Sequence, residues 1–528
     1  MMIDIWSWIS ELPELADWTD SDSSHIIELA TSKPPGDDFT RTIQLKAERT
    51  AGSNLEALVT FTISLQGFHP HNAPKTLWVS DTCPLNSEKP FLPLLLQLLQ
   101  EIITRSPMAH NTTCPRSQLQ KLKPEPISWI MDSHSLESFS SFFNLVFLMR
   151  LFWLCVCDAP SEVGSLYFES LLRPNLEAFK CEQNPALRTF LITVGVDAEL
   201  CFMRTLGYML TKWLILREVG VGLHVLAPML DHQVKLSYAM EAHGFWVLKG
   251  YAPILAMDLT TSSRNNKFPA IEARDSVLKY ALAHQQLEAI LQLEYSVSFS
   301  EGCIRVKVRV DNLRFHVAKL GFKKNDDADY ADERHFVSRA RVWVGPEVGA
   351  TYVVGMSLGR STDNGEREVE MQSVMKGNYE DSRAPKVKTR ARMATRTKMK
   401  NWRWDQDAEG NSVIFDAVLY NNTTDHEVAT SKMVNNNSGG GNNNGARNRY
   451  NGQTRPFTKT RGLVFAGDEY GEGVEWRLNK EMEGSVLKWR IGGQVWVSYW
   501  PNEVKSSYFE SRCVEWCNEV DLPLITGK

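Results

Sequence analysis

Between Ile304 and Val310 every second residue is apolar: Ile304, Val306, Val308 and Val310 alternate with Arg305, Lys307 and Arg309. A period of two marks a β-strand with one dry and one wet face, because successive side chains point to opposite sides of the pleat. The same period returns from Arg339 to Val344 and from Val353 to Ser357. One such strand cannot bury its dry face alone. The chain after Phe268 is therefore expected to form an antiparallel sheet with one solvated face. Turn signals agree: Asn364-Gly365 suits a tight hairpin, Asp405 to Gly410 a longer one, and Gly492-Gly493 separates two strand-like runs in a tryptophan-rich last block, Gly462 to Ile525.

Upstream the pattern changes. Leu92 to Thr104, Leu136 to Cys157, Glu162 to Leu171 and Ala198 to Val219 carry apolar residues at helical length, with proline or glycine between them. The last is expected to be amphipathic. Alternating runs between His25 and Ser80 predict a small sheet ahead of these helices. Trp6, Ile9 and Trp18 could line an apolar stripe, but Pro13 divides it into two short turns, which either dock on the body or form an acidic and aromatic partner motif. One more helix is predicted from about Ala270 to Ile290.

At 528 residues the chain exceeds what one core can organise. The polar stretch Thr260 to Lys267 is the best boundary. The expected fold class is α+β: a mainly helical N-terminal part with a small sheet, residues 1–262, then an antiparallel β-sandwich or barrel, residues 268–528. Within the latter, Asn435 to Gly452 has almost nothing to bury and is expected to be a mobile insertion.

The composition is globular, with 43% hydrophobic residues, and the net charge of -5 argues against a chain given wholly to nucleic acid. Nine cysteines form no disulfide framework. Cys513 and Cys517 have a permitted metal-ligand gap, but Cys155 and Cys157 are too close to be their usual partners, so reduced thiols are expected, with no metal and no cofactor. The acidic, aromatic N-terminus is no secretory signal, which makes cytosol or nucleus the default. Phe139 to Cys157 approaches membrane-spanning length. Arg150 and Asn144 inside it and acidic residues around it favour a buried helix, with membrane association as the alternative.

Few residues suggest chemistry. Gly355 to Gly359 matches a nucleophile elbow around Ser357, with His426 downstream, but the following residues read as a turn and a strand where an elbow needs a helix. A serine hydrolase is the alternative this leaves. Asp405 to Asp416 imitates a calcium loop in acidic spacing, with strand-like flanks; a charged hairpin tip is the plainer reading. Gly467 to Gly473 carries three acidic residues that would repel phosphate. His69, His71 and Asp326 to Asp329 read as loop residues.

The densest charge run is basic: Lys386, Lys388, Arg390, Arg392, Arg396, Lys398 and Lys400 share one parity, with Trp402 and Trp404 continuing it. In a strand these residues line one face. Such a face could hold an anionic lipid surface, a nucleic acid or an acidic protein. Glu366, Glu368 and Glu370 have the same parity upstream, so an ion-pair ladder that cancels the field is the competing reading. The function expected is that of a non-enzymatic binding or scaffold protein.

The tail, from Gly467 to Gly473 through Met482 to Gln494 and Ser498 to Tyr508 to the Cys513 and Cys517 pair, resembles a family of uncharacterised plant proteins. The resemblance is most specific over Gly467 to Cys517. It implies no activity, cofactor or site residue.

Overall fold

The computed structural model describes residues 4–12, 24–33, 39–51, 57–68, 74–109, 121–179, 184–221, 236–254, 284–321, 334–359, 367–378, 388–399, 402–421, 426–427, 463–466, 473–500 and 511–525. The Thr260 to Lys267 boundary, the Asn435 to Gly452 tract, His69, His71 and Asp326 to Asp329 lie outside them. The fold is mixed α+β. It divides into two compact units, residues 1–238, 250–288 and 318–331 in the first and 239–249, 289–317 and 332–528 in the second.

The first unit opens with α1 (Ile5–Glu11), followed by β1 (Ser24–Ser32), β2 (Arg41–Ala51), β3 (Ala57–Gln66), β4 (Lys75–Val79) and the short β5 (Cys83–Pro84). These strands pair in the order β1-β2-β3-β4, with β5 on β3, and bury Ile43, Leu45, Val59, Phe61, Ile63 and Leu65. Next come α2 (Leu92–Thr104), β6 (Met108–Ala109), α3 (Pro124–Ser133), α4 (Leu136–Phe152), α5 (Ser161–Leu166), α6 (Pro185–Thr193) and α7 (Val196–Val221). Two π-helical turns, Trp153–Cys157 and Tyr167–Leu172, extend α4 and α5.

Helix α4 is apolar around its whole circumference, the pattern of a helix enclosed by protein or lipid. With its π-turn it is long and apolar enough to cross a membrane, yet 89% of its most apolar window is buried inside the protein. Asn144 and Arg150 inside it have partners. Asn144 donates to Asp4 at 2.9 Å and accepts from the Trp6 backbone at 3.2 Å, and the Trp6 ring lies 4.7 Å from Phe139 and 4.8 Å from Phe143. The first of the two turns expected from the sequence thus docks on the body as the short helix α1, which ends before Pro13; the second, with Trp18, lies outside the described residues. Arg150 pairs with Glu101 and sits over the Trp78 ring at 5.8 Å.

In α7 Glu199, Arg204 and Lys212 are buried, where an amphipathic helix would leave its charges wet. Arg204 forms two hydrogen bonds to Glu288, at 2.8 and 3.2 Å, and Glu199 accepts from the hydroxyls of Tyr238 and Tyr251, at 2.5 and 2.6 Å. Strands β7 (Leu236–Ala242), β8 (Phe245–Ile254) and β9 (His284–Phe299) explain this, because they supply the partners. Strand β9 also corrects the helix expected from Ala270 to Ile290: its described part, from His284 onward, is extended. Helix-favouring glutamine, leucine and glutamate yield there to burial, continuous from Gln285 to Ala289 and continuing at Leu291 and Leu293.

The remaining strands are β10 (Cys303–Gly321), β11 (Arg334–Pro346), β12 (Val353–Ser357), β13 (Arg367–Asn378), β14 (Lys388–Met399), β15 (Trp402–Glu409), β16 (Ser412–Asn421), β17 (His426–Glu427), β18 (Leu463–Ala466), β19 (Val474–Asn479), β20 (Val486–Trp500) and β21 (Ser511–Pro523). Strand β10 buries Ile304, Val306, Val308 and Val310 and exposes the basic residues between them, as its alternation predicts. In the second unit β19 pairs with both β10 and β12, while β15-β16-β11-β20-β21 form a further antiparallel sheet, with β17 on β16. Strands β13 and β14 make a two-stranded ribbon of their own.

Candidate functional site

The basic run falls on β14, and the ribbon register decides what faces it. Glu368 stands opposite Lys398 and Glu370 opposite Arg396. Past that point the described part of β13 holds no acidic residue. Arg392 is opposite Val374, Arg390 opposite Lys376, and Lys388 opposite Asn378. The register thus sets acidic positions opposite basic ones toward Arg367, and three basic positions opposite Val374, Lys376 and Asn378 toward the other end. Successive positions of one face are about 6.8 Å apart along a strand, and Lys388, Arg390 and Arg392 occupy three such positions. Lys386, Lys400 and Glu366 lie outside the described residues.

Trp404 does not continue that strip. Met399 ends the ribbon, whereas Trp402 and Trp404 belong to β15 in the larger sheet, opposite Leu419 and Ala417, and Trp404 is 4% exposed. The parity count does not carry from β14, which ends at Met399, to β15, which begins at Trp402 in another sheet. On β15 it is Arg403, Asp405, Asp407 and Glu409 that face solvent.

A second charged cluster was not legible in the sequence. Asp416, the twelfth residue of the calcium-like stretch, lies opposite Arg341 in the β11–β16 register. It accepts from Arg339 Nε at 2.9 Å and from Arg341 at 3.0 Å, while the two guanidinium groups lie 5.0 and 5.9 Å from the Trp496 ring centre. Burial opposes ionisation of Asp416, but the hydrogen bonds from Arg339 and Arg341 outweigh it and hold the carboxyl below the usual aspartate range. The stretch itself is a hairpin, turning through Gly410 at a φ of 60°. Among the described residues no group of three or more histidine, cysteine or acidic side chains is placed to hold a metal. The alternation of Arg339 and Arg341 hinted at a charged face; only the pairing of β11 with β16 shows which carboxylate meets it.

Ser357 ends β12, exposed, at a register position opposite Glu475 of β19. Among the described residues the next element after it is strand β13, where a nucleophile elbow needs a helix; residues 360–366, which directly follow the motif, lie outside them. His426 lies in β17 opposite Asn421. Of the cysteines, burial pushes Cys83 up to about 11 and Cys155 higher still, which disfavours the reactive thiolate.

No family model and no curated protein matches this chain. Among solved structures, the Clostridium perfringens NetB toxin in its membrane-inserted form aligns over 54% of this chain and 94% of its own, at 9% identity and a TM-score of 0.18. Clostridium perfringens delta-toxin aligns over 55% and 89%, at 8% identity and 0.19. Neither TM-score marks a shared fold.

Proposed function

We propose that this is a non-enzymatic binding or scaffold protein that engages an anionic partner through the Asn378 end of the β13–β14 ribbon. The register carries the reading: it sets Lys388, Arg390 and Arg392 across from Asn378, Lys376 and Val374, leaving their charge without a cross-strand carboxylate. From 366 to 400 the sequence holds ten basic and five acidic residues, a local excess of 10 - 5 = 5 positive charges in a chain whose net charge is -5. Such a field attracts polyanions at low salt and is screened as salt rises.

The second unit is the scaffold in this reading, and we infer for it the antiparallel sandwich or barrel expected from the sequence. Contacts among the Trp246, Trp476 and Trp489 rings, with centres 5.4 and 4.8 Å from Trp489, support two packed layers.

The test is elution from heparin in a salt gradient. Arg390→Gln/Arg392→Gln should elute at clearly lower salt than the wild type. Glu368→Gln/Glu370→Gln, which releases Lys398 and Arg396, should elute later. Glu481→Gln/Glu483→Gln makes the same change of net charge at two exposed residues outside the ribbon strands and should leave elution unchanged. Equal elution of the first variant and the wild type would overturn the proposal.

A further inference from the structure

The ribbon has a second periodicity that the anion-binding reading leaves unused. Its even-numbered positions carry the charges. Its odd-numbered positions are Val369, Met371, Ser373, Met375 and Gly377 on β13 and Thr389, Ala391, Met393, Thr395, Thr397 and Met399 on β14, with Arg367 as the one charged residue. The register pairs odd with odd, so these positions share one face over the twelve-residue length of both strands. Neither strand has a third strand beside it among the described residues.

We infer that the partner at this ribbon is an anionic lipid surface, an inference that rests on the reading of its basic end. Three observations select lipid over the other polyanions. A ribbon whose even-numbered positions end in three basic residues, and whose odd-numbered positions carry Val369, Ala391 and methionines among threonines, matches an interface that is anionic at the headgroups and apolar just beneath. The apolar positions include four methionines, flexible groups that adapt to a disordered surface. Neither paired strand contains an aromatic residue, so the stacking on which single-stranded nucleic acid binding relies has no platform there.

The experiment is co-sedimentation of the full chain with vesicles of phosphatidylcholine alone or with phosphatidylserine added, beside heparin elution of the same samples. The wild type should bind the phosphatidylserine vesicles at least tenfold better than the neutral ones. Met371→Ser/Met375→Ser/Met393→Ser should lose at least tenfold in vesicle binding while keeping its heparin elution, which also shows that the ribbon still forms. The leucine variant at the same three positions should bind as the wild type does. Retention on heparin without vesicle binding would overturn the lipid inference and leave the anion-binding reading standing. Tighter binding to an oligonucleotide than to the vesicles at equal salt would overturn it in favour of nucleic acid, and loss of heparin retention by the wild type would remove both readings.

Discussion

Glu368 of β13 lies directly opposite Lys398 of β14, in the part of the ribbon where acidic positions face basic ones. Lys398→Glu would set two carboxylates across from each other, at a cost of about 0.2–1 kcal/mol. Hydrogen exchange of the neighbouring ribbon amides should then quicken by roughly 1.5- to 5-fold. The swap Glu368→Lys/Lys398→Glu should restore it; a swap that exchanges as fast as the single variant contradicts the register.

Asp416 ties Arg339 and Arg341 to β16, and Asp416→Asn should cost about 1–2 kcal/mol at neutral pH. That is toward the low end for charged hydrogen bonds, because both arginines reach solvent. The native carboxyl titrates below its unfolded value of about 3.9. Its contribution is thus present above that value and is lost as pH falls through the native one. Urea unfolding of the variant and the wild type should differ at pH 7 and converge at lower pH. A gap that stays constant with pH would contradict the assignment.

Gly492 lies under the Trp343 ring, and a Cβ there would fall 2.1 Å from it. Gly492→Ala should destabilise by about 1–3 kcal/mol through overpacking. Trp343→Leu should recover part of that loss in the double variant, as read by urea unfolding. Purely additive costs would show that the two do not meet.

Trp6 joins α1 to α4, so Trp6→Ala should cost about 3 kcal/mol and speed proteolysis at the N-terminal segment. A change below about 0.5 kcal/mol in urea unfolding would mean that the helix does not dock.

Periodicity made much of this architecture legible. The alternation around Ile304 and the run from Leu92 to Thr104 became the elements they predict, because each has a single face to bury. Strands β7 and β8 escaped notice since Trp246, Val247 and Leu248 are buried in succession, which leaves no alternation to read. The buried arginines show the same limit from another side: Arg150 and Arg204 read as solvent-facing or costly until Glu101 and Glu288 are found beside them, and those partners are distant in sequence. At the candidate site the residue types and their parity were visible. The cross-strand partners were not, because a register shift of two residues would preserve every face and change every charge pair.

The salt dependence of heparin affinity tests the central claim most directly, since it reports how many charges the ribbon contributes. Relative to the wild type, Arg390→Gln/Arg392→Gln should lower the slope of log affinity against log salt by roughly one unit per charge removed, about two in all. An unchanged slope in that variant would contradict an anion-binding end at Lys388, Arg390 and Arg392.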